Sequence, residues 1–248
     1  RGGPMGKTYA SLEEGSPPVR DFLEKQRVWF IASAPRRGKH VNVSPKGMAG
    51  TFAVLGPRRV AYLDSFGSGF ETLCHIRDNG RVCMMFCELE EGPPKIVRLH
   101  GFARACLQGA AEFDELLSHF PPGGLQPPAP SGHYRSVVVV DVFRIADSCG
   151  YGIPMFEFKR TRSVLQPILV DIPASQKWIA KVQGYGRTSL DGTPVAVLSE
   201  SGAGVTWLPL PWAQRLSGWA QGPFGVAVVA LGAFALGAAA AAKLRPSA

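Results

Sequence analysis

The run of side chains best placed for chemistry is Val60-Ala-Tyr-Leu-Asp-Ser-Phe-Gly-Ser-Gly-Phe-Glu-Thr72, where a strand passes through a glycine-rich turn into a helix. Backbone N–H groups at a helix start have no partner within the helix. Beside Gly67 and Gly69 they can be approached by an anion, with the hydroxyls of Ser68 and Thr72 as further donors. Ser68-x-x-Glu71 also has the form of a capping box, which accounts for both residues with no ligand, and Glu71 brings a negative charge to where a phosphate would lie. A second place is Val41-Asn-Val-Ser-Pro-Lys-Gly47, a strand ending in Ser44, Pro45 and Lys46. A lysine held there can supply the positive charge a phosphate needs; an exposed turn lysine is the plainer reading. A third is the strand on which Arg98, His100 and Arg104 alternate with Val97, Leu99 and Ala103, giving one basic and one packed face. Whether the basic face meets ligand or solvent is left open.

Other chemistries find little support. His40, His75, His100, His119 and His133 form no HxxxH or HExxH spacing, so no metal site is assigned and a haem or metal ligand among them stays open. There is no nucleophile elbow, P-loop or dinucleotide fingerprint, which leaves hydrolase and nucleotide-triphosphatase readings without a basis. The five cysteines, Cys74, Cys83, Cys87, Cys106 and Cys149, are odd in number and lie in apolar runs with no CxxC pair, as reduced core residues do. Cys83 and Cys87 share a strand face, but no second pair completes a structural zinc site.

The elements that must position these groups are mostly strands. Val28–Ala34, Val41–Ser44, Thr51–Leu55, Val60–Asp64, Val82–Phe86, Ile96–Ala105 and Ser136–Ile145 are short β-branched or aromatic runs between Gly, Pro, Asn or charged breaks, a pattern of barrels and sandwiches. Helices are predicted at 19–27, from Ser68 to a stop at Asn79-Gly80, and from about Ala110 to His119. The proline-rich stretch 121–132 reads as an exposed loop, and 151–215 as an irregular extension wrapped on the barrel with a short helix near 175–183.

The formal net charge of +8 is scattered over small groups such as Arg36, Arg37 and Lys39, which argues against a nucleic-acid partner and fits a solvated or lipid-facing surface. From Gly222 to Ala242 no residue is charged, and as a helix this run reaches roughly 30 Å, enough to cross a bilayer. Trp207, Trp212 and Trp219 suit an interfacial belt ahead of it, and Lys243 and Arg245 a flank beyond it, so residues 222–242 are expected to form a single-pass anchor with the main domain in the cytoplasm. A buried Ala-rich core helix is the competing reading. Met5 has the character of a natural start.

Taken together, Met5-Gly-Lys-Thr-Tyr, Phe30-Ile-Ala-Ser-Ala-Pro35, His40-Val-Asn-Val-Ser-Pro-Lys-Gly47, Tyr62-Leu-Asp with Gly67-Ser-Gly-Phe-Glu-Thr72, and His75-Ile-Arg-Asp-Asn-Gly-Arg81 resemble the pyridoxamine 5'-phosphate oxidase-related flavin-binding split-barrel family. The likeness continues through Met85-Phe86-Cys87, Arg98-Leu-His-Gly101, Ser148-Cys-Gly-Tyr-Gly-Ile-Pro154 and Ser189-Leu-Asp-Gly-Thr-Pro194. It implies a mainly β fold: a six-stranded FMN-binding split barrel over residues 5–150 with a few short helices, working as a homodimer with FMN at the subunit interface. By position it implies a cofactor-binding set of Ser44, Lys46, Asp64, Ser65, Ser68, Gly69, Thr72 and Arg98. The Arg-Lys pair that pyridoxamine-phosphate oxidases carry after the glycine turn is absent, as is their C-terminal substrate-binding segment, so the resemblance speaks against vitamin B6 oxidation. The function expected is an FMN-dependent oxidoreductase of unknown small-molecule substrate, tethered to a membrane; the alternative is a non-catalytic flavin- or haem-binding protein of the same fold. No acid or base is assigned.

Overall fold

A computed structural model describes residues 6–65, 69–120 and 134–162, with the single positions 164, 177 and 190. In chain order the elements are β1 (Thr8–Tyr9), α1 (Val19–Lys25), β2 (Trp29–Ser33), β3 (Asn42–Lys46), β4 (Phe52–Gly56), β5 (Arg59–Ser65), α2 (Phe70–Asn79), β6 (Arg81–Cys87), β7 (Lys95–Leu107), α3 (Phe113–Ser118) and β8 (Tyr134–Cys149). All strand pairing is antiparallel, in the order β3-β2-β6-β7-β8-β5-β4, with β1 added to the end of β8 through Thr8–Ala146 and Tyr9–Ile145.

The sheet is curled rather than flat. Laid flat, β2 and β4 would stand five strand spacings apart, about 24 Å at ~4.8 Å each. Instead the rings of Trp29 on β2 and Phe52 on β4 lie 5.8 Å apart, and Trp29 meets Tyr62 on β5 at 5.2 Å and Phe86 on β6 at 5.7 Å. These aromatics, with Ile31, Met84, Val97, Leu99, Val138 and Val140, fill the interior. Alternation along β2, buried at Trp29, Ile31 and Ser33 and half-buried between, is the period-2 signature of a strand with one face on that core. β3 and β4 are the two edges of the curled sheet, so the barrel is split between them.

The strand readings at 28–34, 41–44, 51–55, 60–64, 82–86, 96–105 and 136–145 all fall on observed strands, and the described residues form eight strands where the resemblance implies six. The extra pairing of β1 is two residues long, too short for any hydrophobic period to announce. β7 and β8 are long because a bulge between His100 and Gly101 lets them bend without breaking. A side chain at Gly101 would meet the Asp141 carbonyl at 2.6 Å, so only glycine lets the strands approach there.

The helices need correction at their ends. α1 ends at Lys25 and α3 is confined to Phe113–Ser118. α2 stops where expected: Gly80 takes a φ of 71° and its N–H returns to the Ile76 carbonyl. It begins at Phe70, however, with Gly69 as N-cap and no side-chain cap, so the expected capping box does not form. Glu71 is drawn elsewhere, as set out below.

Past β8 the chain runs without regular structure to residue 162. Phe156 N–H donates to the Leu89 carbonyl, and the Arg27 guanidinium stacks on Phe158 at 4.2 Å, which ties this stretch to the barrel. The loop at 121–132, the helix expected at 175–183 (Lys177 apart) and the apolar segment 222–242 lie outside the described residues. Among those described, no helix is long and apolar enough to cross a membrane.

Candidate functional site

β3 carries its polar side chains on alternate positions. Asn42, Ser44 and Lys46 lie opposite Ser33, Ile31 and Trp29 of β2, and so share the inward face, while Val43 is exposed on the other. β3 is an edge strand, so this inward row looks across the split toward β5 and the start of α2.

At one end of the row Lys46 crosses the split. Its Nζ lies 5.4 Å from the centre of the Tyr62 ring and 3.7 Å from Asp64 Oδ1. Asp64 is 2% exposed and also accepts from Arg135, at 2.9 Å from Nε and 2.7 Å from Nη2, and from the Ser136 hydroxyl at 3.4 Å. Arg135 enters through a second bulge, where the register of β5 against β8 shifts between Asp64 and Ser65. Two cations around one carboxylate leave this trio with one net positive charge. The Tyr62 hydroxyl beneath is buried with no hydrogen-bond partner, and burial first, then the Asp64 charge, raise its pKa well above the ordinary 10 against an opposing pull from Arg135. Gly69, the N-cap of α2, faces the trio: a Cβ there would lie 3.0 Å from Asp64 Oδ1, 3.4 Å from Arg135 Nη2 and 3.5 Å from Lys46 Nζ. The glycine leaves a small concavity between a positively charged cluster and the unpartnered N–H groups of a helix start, an arrangement that fits an anion.

At the other end the row meets α2. Asn42 Nδ2 donates to Thr72 Oγ1 at 2.9 Å and to Ser44 Oγ at 3.2 Å, with a long contact to Ser33 Oγ at 3.5 Å. One turn along, Glu71 and His75 stand four residues apart and therefore on one helix face. Glu71 Oε1 accepts from His40 Nε2 at 2.8 Å, and both its oxygens lie 3.3 Å from the Leu190 N–H. These partners, not its own helix start, hold the Glu71 carboxylate, and its charge is thereby occupied by His40 rather than aimed at the Gly69 concavity.

Of the residues expected to bind a cofactor, Ser44, Lys46, Asp64, Gly69 and Thr72 come together. Thr72 is buried and engaged by Asn42, and Asp64 is enclosed by cations rather than open to a ligand. Ser65 closes β5 next to the bulge, and Ser68 lies outside the described residues. Arg98 is elsewhere. The register chain Pro45–Phe30–Met85–Arg98–Ala146 marks the outer face of the sheet, whereas Lys46–Trp29–Phe86–Val97 marks the inner one. There Arg98 donates to Ser148 Oγ at 3.0 Å, near Cys83 and Cys87, whose thiols burial pushes up, and His100, whose pKa burial and then the Arg144 and Arg98 charges lower. A groove of about 500 Å³ between α1, the β3–β4 turn and Phe158 is lined by none of the expected residues.

Sequence reasoning missed Arg135 and Glu71 as a partner of histidines, and left His40 and His75 open among the five histidines. The i, i+4 spacing of Glu71 and His75 was visible, as was a lone arginine opening the valine run 137–140.

The chain is similar to several known proteins. A pyridoxamine 5'-phosphate oxidase family protein of Aspergillus flavus, ustO, is 39% identical over 152 residues, which cover 60% of this chain and 56% of that protein. Among solved structures, an FAD-binding protein of Mesorhizobium loti is similar with 17% identity and a TM-score of 0.40, over 58% of this chain and 95% of its own. HupZ of Group A Streptococcus aligns with 20% identity and a TM-score of 0.36, over 50% and 86%. The sequence pattern of the pyridoxamine 5'-phosphate oxidase family matches residues 16–149, from the approach to α1 through the end of β8, and the chain belongs to that family.

Proposed function

We propose that the chain binds FMN, with the phosphate held at the Gly69 concavity by Lys46, Arg135 and the first N–H groups of α2, and with Ser44 beside them. The observation that carries this reading is the glycine at the N-cap, where a Cβ would lie 3.0 Å from Asp64 Oδ1, 3.4 Å from Arg135 Nη2 and 3.5 Å from Lys46 Nζ, so that the backbone of the helix start stands close to both cations and their counter-charge. Asp64 serves as the fixed counter-charge that orients both cations. The bound flavin would supply the redox chemistry of an oxidoreductase acting on a small molecule, while the protein contributes position and electrostatics.

FMN differs from riboflavin by its phosphate, and hydrogen bonds to a charged group are each worth about 1.5–3 kcal/mol. Fluorescence titration of the wild type should therefore give tight FMN and weak riboflavin binding. Lys46→Ala should weaken FMN roughly ten- to a hundredfold and leave riboflavin nearly unchanged. Equal affinity for both ligands in the wild type would remove the phosphate site from the proposal.

The same reading includes a homodimer, with the flavin shared between subunits, and a membrane tether at 222–242 that leaves the barrel in the cytoplasm. Alkaline carbonate should fail to release the full chain, whereas a chain cut after residue 215 should be soluble and dimeric by light scattering. Release of the full chain by carbonate would sink the tether, and a cofactor-bound monomer the shared site.

A further inference from the structure

Outside the flavin reading, and independent of it, one cluster holds an atom that the fold leaves unsatisfied. His40, Glu71 and His75 bring one ligand atom each to within 4.8 Å of one another. His75 is fully buried, and its Nε2 has no hydrogen-bond partner although Glu71 Oε1 is 3.3 Å away. Burying a polar nitrogen unpaired is costly, so a native fold that keeps one calls for a reason.

The surroundings narrow the reason. The other nitrogen of His75, Nδ1, is 2.9 Å from Ser33 Oγ. With Nδ1–H donating to that hydroxyl, Nε2 carries a bare lone pair facing a carboxylate oxygen, a repulsion that a cation between the two atoms turns into attraction. His40 Nε2 approaches the same oxygen at 2.8 Å, with its ring centre 5.1 Å from that of His75. Ligands bonded at ~2.1 Å to one ion, at angles between octahedral and tetrahedral, stand about 3.0–3.4 Å apart, close to the 2.8 and 3.3 Å measured from Glu71 Oε1 to the two imidazoles. Two of the three ligands are also held by a further partner, as metal ligands are: His75 by Ser33, and Glu71 by the Leu190 N–H.

The geometry points to a binding site for a first-row divalent transition metal, with His40 Nε2, His75 Nε2 and the Glu71 carboxylate as protein ligands. Two imidazoles and one carboxylate suit zinc(II), iron(II) or cobalt(II) rather than the oxygen-rich shells of calcium or magnesium. Coordination requires the His40 proton now donated to Glu71 to leave Nε2, for Nδ1 or for water. His40 is only partly buried, its side chain 24% exposed, so the cluster can be reached from solvent and further ligand positions are open to water or a small molecule.

The test is calorimetric titration of the flavin-free, chelator-treated full chain with Zn²⁺, repeated with Co²⁺ to read the ligand field. One equivalent per chain is expected, with a raised melting temperature and Co²⁺ absorption of a nitrogen–oxygen site. His40→Ala, at the partly exposed ligand, should weaken Zn²⁺ at least tenfold while the far-ultraviolet dichroism is unchanged. Ser33→Ala, which only loosens His75, should weaken it roughly tenfold. The absence of stoichiometric binding by folded wild type would overturn the site, as would Zn²⁺ affinity that is the same in wild type, His40→Ala and Glu71→Gln. Because FMN is absent throughout, failure here leaves the phosphate site untouched.

Discussion

Asp64 and Glu71 are seven residues apart and almost equally buried, at 2% and 8% exposure, yet the chain surrounds them differently. Asp64 lies between Arg135 and Lys46, a guanidinium and an ammonium that offer donors and no acceptor. Glu71 lies between two imidazoles, which can offer a lone pair as well as a proton, and a backbone N–H, which only donates. A carboxylate among fixed cations is a rigid strut whose surplus positive charge can hold an anion. A carboxylate among histidines is half of a cation site. The split beside β3 thus presents opposite electrostatic preferences at the two ends of one row of side chains, Asn42 to Lys46.

The contrast has a measurable edge. Asp64→Ala takes the carboxylate from beside a buried guanidinium, and urea unfolding should register a loss of about 3–5 kcal/mol. Glu71→Gln keeps an oxygen for His40 and for the Leu190 N–H, and in metal-free protein should cost only about 1 kcal/mol. Equal losses at the two positions would erase the distinction between strut and cation site.

How legible this was varied with the kind of interaction. Strands whose apolar residues recur with period two, such as Trp29–Ser33, could be read directly, because burial on one face leaves its mark in the sequence. So could the helix stop at Gly80, where only a residue free of Cβ takes φ 71° cheaply. Lys46, Ser44 and Gly69 were found because glycine turns and strand ends are local. Arg135 was not, since its partner Asp64 is 71 residues away and is brought to it by a bulge in β8 pairing. The capping box failed for the same reason: the local partner of Glu71 lost to His40, 31 residues earlier, which only the curl of the sheet brings within 2.8 Å. Arg98 resembled a site residue in sequence, and only the strand register places it on the outer face.

The smallest expected effect concerns a third carboxylate with an arginine partner, this time open to water. Arg104 on β7 donates through both terminal nitrogens to Glu112 at the start of α3, 2.7 Å from Nη1 to Oε2, and the Glu112 side chain is 38% exposed. The hydrogen bonds from Arg104 hold the Glu112 pKa below its ordinary 4.5, against burial and with help from the Arg104 and Arg59 charges. A carboxylate with a depressed folded pKa contributes stability that is present above the unfolded value and is lost as pH falls through the folded one. The contribution of this pair should therefore be intact at pH 7 and fade below about pH 4.5, where both states take up the proton. Because the pair is exposed, solvent screening limits its worth to roughly 0.2–1 kcal/mol. A double-mutant cycle of Arg104→Ala and Glu112→Gln should yield a coupling in that range at pH 7, smaller in 1 M salt and declining as acid protonates Glu112, while the loss in Asp64→Ala changes little with salt. A coupling of about 3 kcal/mol or more, or one indifferent to salt, would mean that burial is not what separates the inner strut from this outer pair.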